Sequence, residues 1–219
     1  MVTDCVNHTK TAGIAADRQV SGSAGEWGDY RSGMDDDAQQ AALERLSGSP
    51  LFPFNRELQL KSLGDLLPHE IIREGEGDRP YMSCGNDERI WWSNERWKIT
   101  ALQPTANPVG LFLETVDHID FEDFDEQLAA EYGVLTMHIE AAVRSLDSVG
   151  RVHIHRWGDG SAHFHVWFQG RPARQLELYG WGNVLWAQVL PPLSVEQTNA
   201  NHRRVVERVH ETAGGTLAT

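Results

Sequence analysis

From residue 124 to residue 146 apolar side chains recur at every third or fourth position: Phe124, Leu128, Tyr132, Leu135, Ile139, Val143 and Leu146. That spacing places all seven on one face of a long helix, 123–146, that must lie against something. Asp123 with Glu126 three residues later resembles a capping box, and Asp117, Asp120, Glu122 and Asp125 crowd the positive end of the helix dipole. On both sides of this helix the period changes. ERIWWSNERWKITAL (88–102) has the aromatic and β-branched bias of a hairpin turning near SNER, and VGLFLETV (109–116) reads as a buried strand. After the helix, RVHIHRWGDGSAHFHVWF (151–168) alternates around a glycine-rich centre.

The remaining segments are less regular. Residues 1–49 are rich in Gly, Ser, Asp and Ala, with almost no aliphatic residue before Leu43, and read as a flexible tail carrying one short helix at 35–46. The body is expected to run over 51–212. Within it LQLKSLGDLL (58–67) suggests a short apolar element and EGEGDRP (74–80) a loop, while QLELYGWGNVLWAQVLPP (175–192) brings aromatic residues to a Pro-Pro stop. Ser194 with Gln197 can cap a last helix that ends before Gly214 and Gly215.

Composition removes several classes of function. In 219 residues no uncharged apolar run approaches the ~20 residues of a membrane span. The start MVTDCVNHTK has neither the charged cluster nor the apolar segment of a secretory signal, so a cytoplasmic location is expected. Two cysteines, Cys5 and Cys84, supply neither a disulfide framework nor a thiolate zinc site. A formal charge of -13 argues against general nucleic-acid binding. The acid is concentrated before residue 151, because residues 151–219 hold seven Arg against five Asp and Glu, so a small anionic ligand is admissible beside the histidines.

His153, His155, His163 and His165 fall within thirteen residues. Imidazole is costly to bury and a poor strand former, so four together ask for a role, whereas His8, His69, His138, His202 and His210 are read as structural. The turn decides which rings meet. A three-residue loop of Gly158, Asp159 and Gly160 places Trp157 opposite Ser161, His155 opposite His163 and His153 opposite His165, with all four rings on one face. A two-residue turn of Asp159 and Gly160 puts the pairs on opposite faces. The four imidazoles could also ligate Zn, Cu, Fe or Ni, although no carboxylate or cysteine is spaced to complete a common site.

The segment 91–172 resembles the histidine triad (HIT) superfamily. GLFLETVDHI (110–119), ending near His118, is similar to the family strand before the long helix. RVHIH corresponds to the strand that usually ends in Asn, and SAHFHVWF to the signature strand. The resemblance implies an α+β fold, an antiparallel sheet with a long helix plus a C-terminal helix. It implies metal-free phosphorus chemistry through a nucleotidyl-histidine, on a small nucleotide phosphoanhydride or related ester, and a homodimer. His165 would be the nucleophile, with His163 orienting it. His155 takes the place of the family Asn near the phosphates, and His153, Ser161, His118 and Trp167 complete the substrate site. Trp167 stands where the family has a third His or a Gln, and its indole can donate one hydrogen bond but accept none. A nucleotide-binding protein that keeps the fold without turnover is the rival reading.

Overall fold

The structure, a computed structural model, describes residues 36–54, 67–81 and 89–218. The short apolar element expected at 58–67 falls outside them except for Leu67, and so does the tail before residue 36. Six strands form one antiparallel sheet: β1 (Ile90–Ser93), β2 (Trp97–Ala101), β3 (Val109–Thr115), β4 (Val149–His155), β5 (His165–Pro172) and β6 (Thr216–Leu217). Their spatial order is β4-β5-β3-β2-β1-β6. The α+β class implied by the sequence is therefore observed, and the first hairpin turns where SNER suggests, with the Asn94 side chain accepting from the amides of Arg96 and Trp97.

Two 19-residue helices, α2 (Glu126–Arg144) and α4 (Val195–Ala213), lie on one face of this sheet and against each other. Side chains alternate along a strand, so Ile99, Leu111, Leu113, Val166 and Phe168 point into the helices. They meet Leu128, Leu135, Ile139 and Val143 from α2 and Val205, Val206 and Val209 from α4. Each fully buried side chain of this kind contributes about 1.5–3 kcal/mol. Gly170 makes room where β4 and α2 close on β5, because a Cβ there would come 2.9 Å from Val149 Cγ2 and 3.2 Å from Val143 Cγ1.

The entry to α2 differs from expectation. Asp120 and Asp123 form a capping box around a short 3-10 helix, Phe121–Asp123, and Asp125 caps α2 by accepting from the Leu128 amide at 2.7 Å. The 3-10 turn consumes the first acids, so the α-helix starts later than Asp123 and Glu126 suggest. At the far end, Ser194 and Gln197 cap α4 reciprocally and Gly214, at φ 74°, ends it. The helix expected at 35–46 is observed as α1 (Asp36–Ser47), and the chain after it reaches the five-residue helix α3 (Gly182–Trp186), where Trp186 Nε1 donates to the Leu51 carbonyl at 3.0 Å. No helix among the described residues is long and apolar enough to cross a membrane.

His202 of α4 is buried under the sheet, where its Nε2 accepts from the Gly110 amide at 3.2 Å while Nδ1 has no hydrogen-bond partner among the described residues. Burial pushes this imidazole down to about 4. The folded value lies below that of the unfolded chain, so between pH 6.5 and 4 the unfolded state binds more protons and stability falls as pH falls. At pH 5 the loss attributable to this residue is about 2 kcal/mol. His163 acts in the same direction, so the test is a difference. In His202→Gln an amide oxygen can still accept from Gly110. Urea unfolding at pH 7 and pH 5 should show wild type losing about 2 kcal/mol more than the variant, and equal losses would refute the assignment.

Candidate functional site

On the sheet face away from the helices, β5 is the central strand. His165 lies opposite Glu114 of β3, Trp167 lies between Phe112 of β3 and His155 of β4, and Gln169 lies opposite His153. Residues paired across strands share a face, so His153, His155, His165 and Trp167 stand together. Neither expected turn occurs. His155 faces Trp167 and not His163, and β5 begins only at His165, so the connection spans 156–164.

Contacts remote in sequence hold that connection open. The Glu74 amide donates to Gly160 O at 3.0 Å, the Ala162 amide to Glu74 O at 2.8 Å, and Phe164 to Ile119 O at 2.8 Å. Arg73 Nη1 donates to Gly158 O at 3.2 Å and to Asp120 at 2.7 Å. Asp120 also binds Arg156. Burial alone would raise the Asp120 carboxyl, but the Phe121 amide and the two guanidinium groups hold it below the usual carboxylate range.

His163 has left the strand and with it the shared face. Its ring is fully buried, with Nε2 at 2.8 Å from Thr115 O, Nδ1 at 3.2 Å from His118 Nδ1, and Tyr81 stacked at 4.8 Å. Burial pushes its pKa down to about 4, with the charges of Lys98 and His118 acting the same way. Neutral His163 therefore carries its hydrogen on Nε2, directed at a carbonyl that can only accept. His118 in turn sets Nε2 at 3.2 Å from Gly75 O. Tyr81 and Thr115 form this pocket from segments that the histidine pattern could not indicate.

What orients His165 is the backbone of His163. His165 Nδ1 lies 2.9 Å from His163 O, and Ser161 Oγ sits 3.4 Å from the same nitrogen and 3.3 Å from that carbonyl. A ring nitrogen facing a carbonyl must carry the hydrogen, which leaves the lone pair on Nε2. The contact to His163 O thus fixes the tautomer of the neutral His165 ring and turns Nε2 away from the loop backbone. Around it, Phe112 meets the His165 ring edge-on at 5.3 Å and the Trp167 ring at 4.5 Å, while His155 lies nearly parallel to Trp167 at 5.6 Å and 11°. Burial lowers the pKa of His155, helped by His153, and lowers that of His153, helped by Arg171.

Toward β2 the same face holds a buried ion pair, Lys98 to Glu114 at 3.5 Å, with Thr100 Oγ1 donating to Glu114 Oε1 at 2.6 Å. A charged residue inside the apolar run VGLFLETV was the available sign of it. The alternative metal centre of His153, His155, His163 and His165 is not formed, because His163 turns both ring nitrogens to Thr115 and His118. No group of three or more His, Cys, Asp or Glu among the described residues is placed to hold a metal ion.

No family model and no curated protein matches the chain. Among solved structures it is similar to a histidine triad protein from Bradyrhizobium japonicum, at 17% identity and TM-score 0.45, over 57% of this chain and 93% of that one. A Zn-bound histidine triad family protein from Mycobacterium smegmatis matches at 11% identity and TM-score 0.40, over 57% of this chain and 86% of that one. A hypothetical histidine triad nucleotide-binding protein from Sulfolobus tokodaii strain 7 matches at 12% and 0.43, over 63% and 97%.

The two central imidazoles should differ in tautomer. Long-range nitrogen-15 correlation spectra at pH 5.5 to 8 should show His163 neutral throughout with its hydrogen on Nε2, as its pKa of about 4 requires. In its neutral form His165 should carry the hydrogen on Nδ1. A neutral His165 protonated on Nε2 would overturn the assigned tautomer.

Proposed function

We propose that the protein is a nucleotidyl hydrolase or transferase that acts on a small nucleotide phosphoanhydride or related ester through His165. The observation that carries this reading is the 2.9 Å contact from His165 Nδ1 to His163 O, which leaves the Nε2 lone pair free to attack. In the first step an Nε2–P bond forms as the bond from phosphorus to the leaving group breaks. The leaving atom, oxygen in an anhydride or ester and nitrogen in a phosphoramidate, departs with the electron pair and takes a proton from solvent where it needs one. The imidazole becomes cationic, and the His163 carbonyl stabilises the hydrogen left on Nδ1. Water or another acceptor then attacks phosphorus, the P–N bond breaks, and the electron pair returns to Nε2. His163 serves as a positioning residue through its carbonyl, while its buried ring fixes the loop that presents it.

His155, Trp167 and His153 form the wall that the phosphoryl group meets on the β4 side, and Ser161 with His118 supports the other. The resemblance to the histidine triad pattern and the fixed tautomer both support this reading. A nucleotide-binding protein without turnover is the second reading, favoured by the Trp167 indole packed 4.5 Å from Phe112 where a polar residue would stabilise developing charge.

His165→Ala should lower hydrolysis of adenosine 5′-phosphoramidate or a dinucleoside polyphosphate by about a thousandfold or more, because the covalent route is removed. His163→Ala should weaken it less, since its carbonyl remains. Rapid-quench mass spectrometry should find an acid-labile nucleotidyl adduct on His165 of wild type. Nucleotide binding without that adduct would reject the enzyme in favour of the binding protein.

A further inference from the structure

Trp157 is not needed for the chemistry just described, and it is the most conspicuous side chain beside it. It lies just past the end of β4 in the connection to β5, with 58% of its surface exposed. A single exposed indole carries little meaning. This one belongs to a cluster: its ring lies 5.2 Å from His155 at 31° and 6.2 Å from Trp167 at 34°, and His155 and Trp167 are themselves 5.6 Å apart at 11°. Two nearly parallel rings, His155 and Trp167, are therefore adjoined by a third, Trp157, tilted by 31° and 34° to them, and Phe112 connects the cluster edge-on to His165.

Two features suit this cluster to a ligand. Trp157 is presented by a pinned loop: the next residue, Gly158, adopts φ 69° and its carbonyl accepts from Arg73, while Gly160 O accepts from the Glu74 amide. A ring held in place beforehand loses little freedom when a ligand stacks on it. The surface is also uncharged, since burial favours neutral His155. Neither Trp157 nor Trp167 donates its indole N–H to a protein group among the described residues.

Resting on the reading that His165 acts on a nucleotide, we infer that Trp157, His155 and Trp167 form a stacking platform for a planar heteroaromatic ring of the ligand, a nucleobase. The ring belongs either to the transferred nucleotide or to the leaving group. Every base offers a π-face, so stacking of this kind tolerates different bases.

The test combines binding and turnover on the full chain. In the His165→Ala background, calorimetric titration with diadenosine tetraphosphate should show that Trp157→Ala weakens binding about tenfold, the scale of one base stacked on one aromatic ring. Trp157→Phe should retain binding within about threefold, because a phenyl ring still stacks. An alanine variant within about twofold of its parent, or a phenylalanine variant as weak as alanine, would overturn the platform. With His165 intact, Trp157→Ala should raise KM. A rise for diadenosine tetraphosphate alone assigns the ring to the leaving group, a rise for adenosine 5′-phosphoramidate as well assigns it to the transferred nucleotide, and no rise for either rejects the platform. Trp157-dependent binding without any turnover by wild type would retain the platform and reject the enzyme. Absence of nucleotide binding by wild type would reject both.

Discussion

The alternation of side chains along β5 is the constraint on which the rest depends. Val166 and Phe168 must enter the core beneath α2, and Gly170 must leave room for Val143 and Val149. A shift of one residue would expose those groups and drive His165, Trp167 and Gln169 into the helices, at a cost of several kilocalories per mole. Packing on one face thus fixes which side chains stand together on the other. Because β5 lies between β3 and β4, its register also decides which imidazoles of β4 join it.

At the start of β5 the alternation breaks, and the break is what separates two histidines of similar sequence context. Phe164 enters the core among Trp97, Phe124 and Tyr132, and its amide binds Ile119 O. The chain before it is forced off the sheet, and the His163 ring turns toward Thr115. Burying an imidazole is tolerable when both nitrogens find partners, as they do here, and its neutral form is the one such burial favours. The backbone of the same residue is left directed at His165 Nδ1. One histidine supplies a carbonyl and a buried wedge, and the other supplies a lone pair.

The parts legible in the sequence are those set by local periodicity and capping. The seven apolar residues from Phe124 to Leu146 do face the core, wholly or in part, and Ser194 and Gln197 close the last helix as their spacing requires. The histidine connection was illegible because nothing local determines it: its shape follows from Glu74, Arg73 and Ile119, which are distant in sequence. Asp123 competed with Asp125 for the role of cap, and a 3-10 turn that spacing rules do not foresee settled the choice. In the sequence Trp157 is only a turn neighbour of Ser161, because its aromatic partners follow from the pairing of His155 with Trp167.

The electrostatics of the open face bear on how it would hold a phosphate ester. Lys98 is paired with Glu114, and Arg171 directs Nη1 to the carbonyls of Pro172 and Gln175 with Tyr179 against its guanidinium. Arg73 and Arg156 are engaged by Asp120, and Arg156 packs over Phe121 and Phe164. Cations that already satisfy a carboxylate or a carbonyl attract an incoming anion less than free ones, and a chain with net charge -13 adds a repulsive background. Neutral donors and ring faces must then carry more of the affinity than charge does. On the proposed function, the concentration of aromatic surface around His165 follows the same logic, because stacking energy is indifferent to net charge and would place the phosphorus of a nucleotide by holding the ring attached to it.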